Sequence, residues 1–134
     1  MKNIVIIAHD AKKPEMVKFL NEHKDWIFGV NLIATGRTAE FVESNEIRVE
    51  HLSPGKSGGY IEITERIKKK EIDIVIFLRD PFIKVGHHED IQNLLEACNA
   101  NNIPLATNYA SAQLIILGLI KKEDYERRKK STNE

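Results

Sequence analysis

Cysteine is almost absent from this 134-residue chain. Cys98 stands alone, so no internal disulfide can form and the fold must rest on its core. Long apolar runs are missing too. Ile4-Val5-Ile6-Ile7 is too short for the hydrophobic segment of a secretory signal, and nowhere do about 18 apolar residues follow one another. The expectation is a cytoplasmic chain with no membrane contact. Charge of one sign is not in excess: 20 basic side chains meet 20 acidic ones. That balance excludes the broad positive field that gathers nucleic acid or anionic lipid, so any charged ligand must be held locally. With 4 prolines and 7 glycines there is no linker, low-complexity block or internal repeat, and 42% hydrophobic residues suffice for one core. Cys98 follows Leu94 by four residues, the spacing of one helix face, and reads as a small buried hydrophobe rather than a reactive thiol.

What is present is an alternation of short apolar runs with amphipathic stretches. Strands are predicted at Asn3 to Ala8, Val30 to Ala34, Ile47 to Leu52 (the weakest), Ile72 to Leu78 (the clearest) and Ile103 to Thr107. Between them fall a helix opened by Pro14, a short helix carrying Phe41 and Val42, a helix from Tyr60 to Lys70, and one from Glu89 to Ala100. Ser111 is the expected N-cap of a last helix ending at Ile120. This order predicts a single α/β domain over residues 1–120, a three-layer sandwich on a five-stranded, mainly parallel sheet. Residues 121–134 are expected to be a charged helix or tail.

In such sheets ligands bind beyond the carboxyl ends of the strands, which is where the polar clusters fall. Thr35-Gly36-Arg37-Thr38 places two hydroxyls and a guanidinium at a helix start, a seat for phosphate, with Lys13 able to reach the same anion. The same residues also suit a plain cap and turn. Ser53-Pro54-Gly55-Lys56-Ser57-Gly58-Gly59 contains Gly-Lys-Ser, but a nucleotide-binding P-loop needs glycine where Glu50 stands. A second anion cradle at Ser53 and Gly55 remains. His9, Asp10, Asp80, His87, His88 and Asp90 supply imidazoles and carboxylates in loops at that edge, as acid–base chemistry on a carbonyl compound requires. No HxxxH or CxxC spacing points to a metal.

Taken together, Ala8-His9-Asp10, Lys13, Ala34-Thr35-Gly36, Gly58-Gly59, Arg79-Asp80-Pro81, His87, Asp90 and Asn102-Ile103-Pro104-Leu105-Ala106-Thr107-Asn108 resemble methylglyoxal synthase. The resemblance implies a Rossmann-like fold, a homohexamer, and conversion of dihydroxyacetone phosphate to methylglyoxal and phosphate, a glycolytic bypass, with neither metal nor cofactor. It places the phosphate on Lys13, Thr35 and Thr38 with Ser53 or Gly55, gives His87 the polarising of the substrate carbonyl, and puts Asp10, Asp80, Asp90 and His9 in the active site. Two departures stand out. The family reads Gly-Gly-Asp-Gln-Gln, its aspartate being the base, where this chain reads Gly58-Gly59-Tyr60-Ile61-Glu62. Arg37 replaces a threonine. A phenol with pKa near 10 is a poor base at neutral pH. The expectations are therefore a synthase, active or slow, or a phosphate-ligand sensor like the regulatory domains of carbamoyl-phosphate synthetases.

Overall fold

The predicted apolar runs assemble in the computed structural model into one five-stranded sheet; residues 1–83 and 88–132 are described. The strands are β1 (Lys2–Ala8), β2 (Val30–Ala34), β3 (Glu50–His51), β4 (Ile74–Leu78) and β5 (Leu105–Ala106), in the order β3-β2-β1-β4-β5, every pairing parallel. Helices α1 (Lys13–Glu22), α2 (Lys24–Ile27), α3 (Gly36–Ser44), α4 (Gly59–Lys68), α5 (His88–Ala100) and α6 (Tyr109–Thr132) connect and flank them.

Successive strand residues point to opposite faces, and the two cores sort accordingly. On one face Ile4, Ile6 and Ala8 of β1 join Leu32, Ile74 and Ile76 beneath Phe19 of α1, Val42 of α3 and Ile116 of α6. On the other, Val5, Ile7, Ile33, Val75 and Phe77 lie under Tyr60, Ile63 and Ile67 of α4 and Leu94 and Cys98 of α5. The predicted three-layer sandwich is thus the observed fold. Cys98 is fully buried and its thiol is pushed up to about 11 by that burial, as a structural cysteine should be.

Several boundaries differ from expectation, β5 among them, which spans only Leu105–Ala106 of the expected Ile103 to Thr107. β4 begins at Ile74 because the Asp73 carboxylate accepts the Asn3 N–H at 2.8 Å and ends the ladder there. β3 shrinks to Glu50–His51, although Leu52 still donates to the Ala34 carbonyl at 2.7 Å. The last helix is capped by Asn108, not Ser111: the Asn108 side chain accepts the Ser111 N–H at 2.8 Å, and the Ser111 hydroxyl accepts the Asn108 N–H at 3.4 Å. It also runs past Ile120 to Thr132, with Asp124 paired to Arg127 and Arg128 on its polar surface. Among the described residues no helix is long and apolar enough to cross a membrane.

Candidate functional site

The strand order turns at β1 and β4: β2 and β3 lie to one side of β1, β4 and β5 to the other. A crevice opens beyond the carboxyl ends of strands at such a switch point. β1 delivers His9 there and β4 delivers Arg79 and Asp80. The two chain segments are stitched together, since the His9 N–H donates to the Leu78 carbonyl at 3.2 Å and the Asp80 N–H donates to His9 Nδ1 at 2.8 Å.

That second bond fixes the chemistry of His9. A ring nitrogen that accepts a backbone N–H carries no proton, so the neutral imidazole holds its proton on Nε2. Among the described residues this Nε2 is buried without a hydrogen-bond partner, a donor prepared for an acceptor. Burial, with Arg79 nearby as the second cause, lowers the His9 pKa below its ordinary 6.5. His9 is therefore a neutral donor at pH 7 and not a base. The unfolded chain takes up this proton before the folded one does. Stability conferred by neutral His9 is thus full above about pH 6.5 and lost as the pH falls from there toward the lower folded value. Thermal unfolding at pH 7.5 and 5.5 should show a drop in the wild type that is smaller in His9→Asn; equal drops would show that other groups carry it.

The candidate anion seat lies beside this pair. Lys13, at the start of α1, is largely buried and donates to the Ala8 carbonyl at 3.1 Å and to Asp10 Oδ1 at 2.6 Å. Arg37, in the first turn of α3, holds the other Asp10 oxygen at 3.0 Å. The hydrogen bond from Lys13, joined by the two positive charges, keeps the Asp10 carboxyl below its usual range. Thr35 is buried at the N-cap of α3, yet its hydroxyl makes no capping bond to its own helix. The first-turn N–H groups of α3 lack intrahelical acceptors by geometry, and of these the Gly36 N–H is taken by the Ser53 carbonyl.

Other predicted phosphate contacts are already engaged. The Thr38 hydroxyl accepts the Ala8 N–H at 3.2 Å and donates to the Ala8 carbonyl at 3.4 Å, fastening α3 to the end of β1. The Gly36 N–H donates to the Ser53 carbonyl at 3.3 Å. Ser53 gives its N–H and its hydroxyl to the two carboxylate oxygens of Glu62, at 3.1 and 2.6 Å. Gly55 lies under the Tyr60 ring, where a Cβ would come within 2.6 Å of Cε2.

Tyr60 is buried on α4, its ring stacked on Phe77 at 5.8 Å and 16°. Arg79 lies over the same Phe77 ring at 5.7 Å, and His9 meets it edge-on at 5.3 Å. Burial raises the Tyr60 pKa, and Arg79 only partly offsets this, so the phenol stays protonated at neutral pH. The aromatic floor of Phe77, and its contact with Arg79, were not anticipated; inward alternation along β4 was the available signal. Asp80 accepts the Phe82 N–H at 2.9 Å in a turn after β4. Asp90, in the first turn of α5, borders a groove with Ile61, Thr64 and Lys68 on the flank of α4. His87, expected to polarise the substrate, lies outside the described residues. Among the described residues no cluster of three potential metal ligands occurs.

The fold is a parallel α/β domain that gathers Lys13, Arg37 and a buried imidazole at its switch point. The family model described as "MGS-like domain" matches residues 15–107, and the chain belongs to that family. It is 44% identical over 118 residues to a methylglyoxal synthase of Thermoanaerobacterium thermosaccharolyticum, covering 87% of this chain and 88% of the relative. To a methylglyoxal synthase of Thermus thermophilus it is 40% identical over 122 residues, covering 90% and 97%. The crystal structure of methylglyoxal synthase from Elizabethkingia anophelis superposes with a TM-score of 0.79 at 34% identity, over 85% of this chain and 76% of that one.

Proposed function

We propose that the crevice binds a small phosphorylated carbonyl compound, dihydroxyacetone phosphate in the first instance, and that the chain is a methylglyoxal synthase that turns over slowly. The observation that carries this reading is the seat built by Lys13, Arg37 and the start of α3 beside the Nε2–H of His9. The seat takes the phosphate by charge and backbone N–H groups, and His9 donates to a substrate oxygen as negative charge develops on it. His87 takes the carbonyl-polarising part that the family likeness gives it.

Formation of the enediol needs a base, and the residues available explain the slow rate. Tyr60 is protonated, His9 is a donor, and Glu62 is occupied by Ser53. Of the two carboxylates at the crevice, Asp10 and Asp80, Asp10 stands in the seat itself, and its pairing with Lys13 and Arg37 makes it a weak base. Proton abstraction beside the carbonyl followed by loss of phosphate then gives methylglyoxal, with the proton passing to the carboxylate and the carbon–oxygen bond to phosphate breaking. The test is methylglyoxal and phosphate release from dihydroxyacetone phosphate at high protein concentration. Slow, equimolar release that disappears in Asp10→Asn is expected. No release from a protein that still binds the compound would leave the second reading, a phosphate-ligand sensor, which the burial of Tyr60 favours.

A further inference from the structure

Ser53 sits where the starts of α3 and α4 meet. Its carbonyl accepts the Gly36 N–H from α3, and the backbone of Gly59, the first residue of α4, lies against that same carbonyl and the Thr35 side chain. A serine in this position would ordinarily offer an anion two donors, its N–H and its hydroxyl. Here both are spent on Glu62, one on each carboxylate oxygen. The hydroxyl has one proton, and at 2.6 Å from Glu62 Oε1 that proton points away from any other acceptor. The pair also fixes a carboxylate beside the place where two helix starts would otherwise attract an anion.

We propose that Glu62 is a positioning residue that sets the affinity of the site for phosphate. By occupying both Ser53 donors and holding a negative charge next to the seat, it weakens phosphate binding until the Ser53–Glu62 pair opens. The inference rests on the reading that this crevice holds a phosphate. It adds that the Ser53 loop is closed against the ligand by an internal carboxylate rather than standing open as a second cradle.

Two chemical effects act in the same direction. A glutamine at this position accepts one Ser53 hydrogen bond through its carbonyl, but its amide cannot accept the second, so one donor becomes available to the ligand. It also removes the repulsion between a carboxylate and a phosphate dianion, which is appreciable at partly buried sites. The expected change on Glu62→Gln is a phosphate affinity about three- to tenfold higher, the range one ordinary hydrogen bond supplies.

The experiment is titration calorimetry with inorganic phosphate on the wild type, Glu62→Gln and Glu62→Ala, with folding checked by circular dichroism. Alanine is a strong helix former, so the second variant keeps α4 if the first does not. Glu65→Gln, which removes a surface charge paired with Lys68 one turn away, is the control for charge alone and should leave the affinity unchanged. Tighter binding in either Glu62 variant, with Glu65→Gln at the wild-type value, is the expected result. A folded Glu62 variant that binds phosphate as the wild type does, or more weakly, overturns the proposal while leaving the phosphate site intact. Equal tightening in Glu65→Gln also overturns it, because bulk charge would then be the cause. Absence of binding in every protein overturns both this inference and the functional reading beneath it.

Discussion

Tyr60→Asp is expected to accelerate methylglyoxal formation from dihydroxyacetone phosphate by about a hundred- to ten-thousandfold, the range a positioned general base contributes. Tyr60 is the second residue of α4 and points into the crevice floor against Phe77, within the field of Arg79. A carboxylate there would lie near that guanidinium, which favours its ionised form. Removing the ring also relieves the contact that makes glycine obligatory at position 55. The loss of a stacked, buried aromatic should cost about 3 kcal/mol of stability, so the comparison belongs at low temperature with Tyr60→Asn as the matched control. If Tyr60→Asp is no faster than Tyr60→Asn, a carboxylate at this position does not reach the substrate's proton, and the missing base is not what limits turnover.

The second large effect is structural. A Cβ added at Gly59 would overlap the Ser53 carbonyl oxygen and approach Thr35 Cγ2 to 3.0 Å, so Gly59→Ala must force apart the starts of α3 and α4. The atoms it meets are backbone and a buried threonine, neither of which can swing away. Overpacking of this kind costs about 1 to 3 kcal/mol, or roughly 5 to 15 °C in melting temperature for a domain of this size. Phosphate binding should fall with it, since the seat and the Ser53 loop share that junction. Gly58→Ala, at φ 103° with open space around it, should cost stability through backbone strain alone and spare more of the binding. Matching losses of phosphate affinity in the two variants would show that the junction does not shape the site.

How far the sequence discloses this structure depends on whether a residue's partner is near in sequence or periodic with it. β1, β2 and β4 are legible because residues buried on both faces of a parallel sheet must all be apolar, which leaves runs such as Ile74 to Leu78. β3 and β5 are short, and the pairings that define them lie on neighbouring strands. The polar composition of residues 121–132 is compatible with helix or tail, but Lys, Glu and Arg are good helix formers, and ion pairs from Asp124 support them. Asn108 and Ser111 are both capping residue types three apart, and only geometry decides which leads.

The site divides the same way. Its location follows from the fold class, because strand ends at a switch point bring His9, Lys13, Thr35 and Asp80 together whatever the details. The roles of individual hydroxyls do not follow. Thr38 is spent on Ala8, thirty residues away, and Ser53 on Glu62 across a loop, contacts that no spacing rule predicts. Two helical positions impose a rotation of about 200°, so Glu62 leaves α4 on a different side from Tyr60. The capture of Ser53 by its carboxylate is what the folded chain adds.

The central claim is that the crevice around Lys13 and α3 holds the phosphate group. Titration of dihydroxyacetone phosphate into the wild type and into Lys13→Met, which keeps the stem and removes the charge, tests it most directly. Saturable binding in the wild type, weakened about tenfold or more by the loss of a charge-assisted contact, is the predicted result. Equal affinity in the two proteins would contradict the account, because the largely buried ammonium at the centre of the proposed seat would then have no part in holding the ligand.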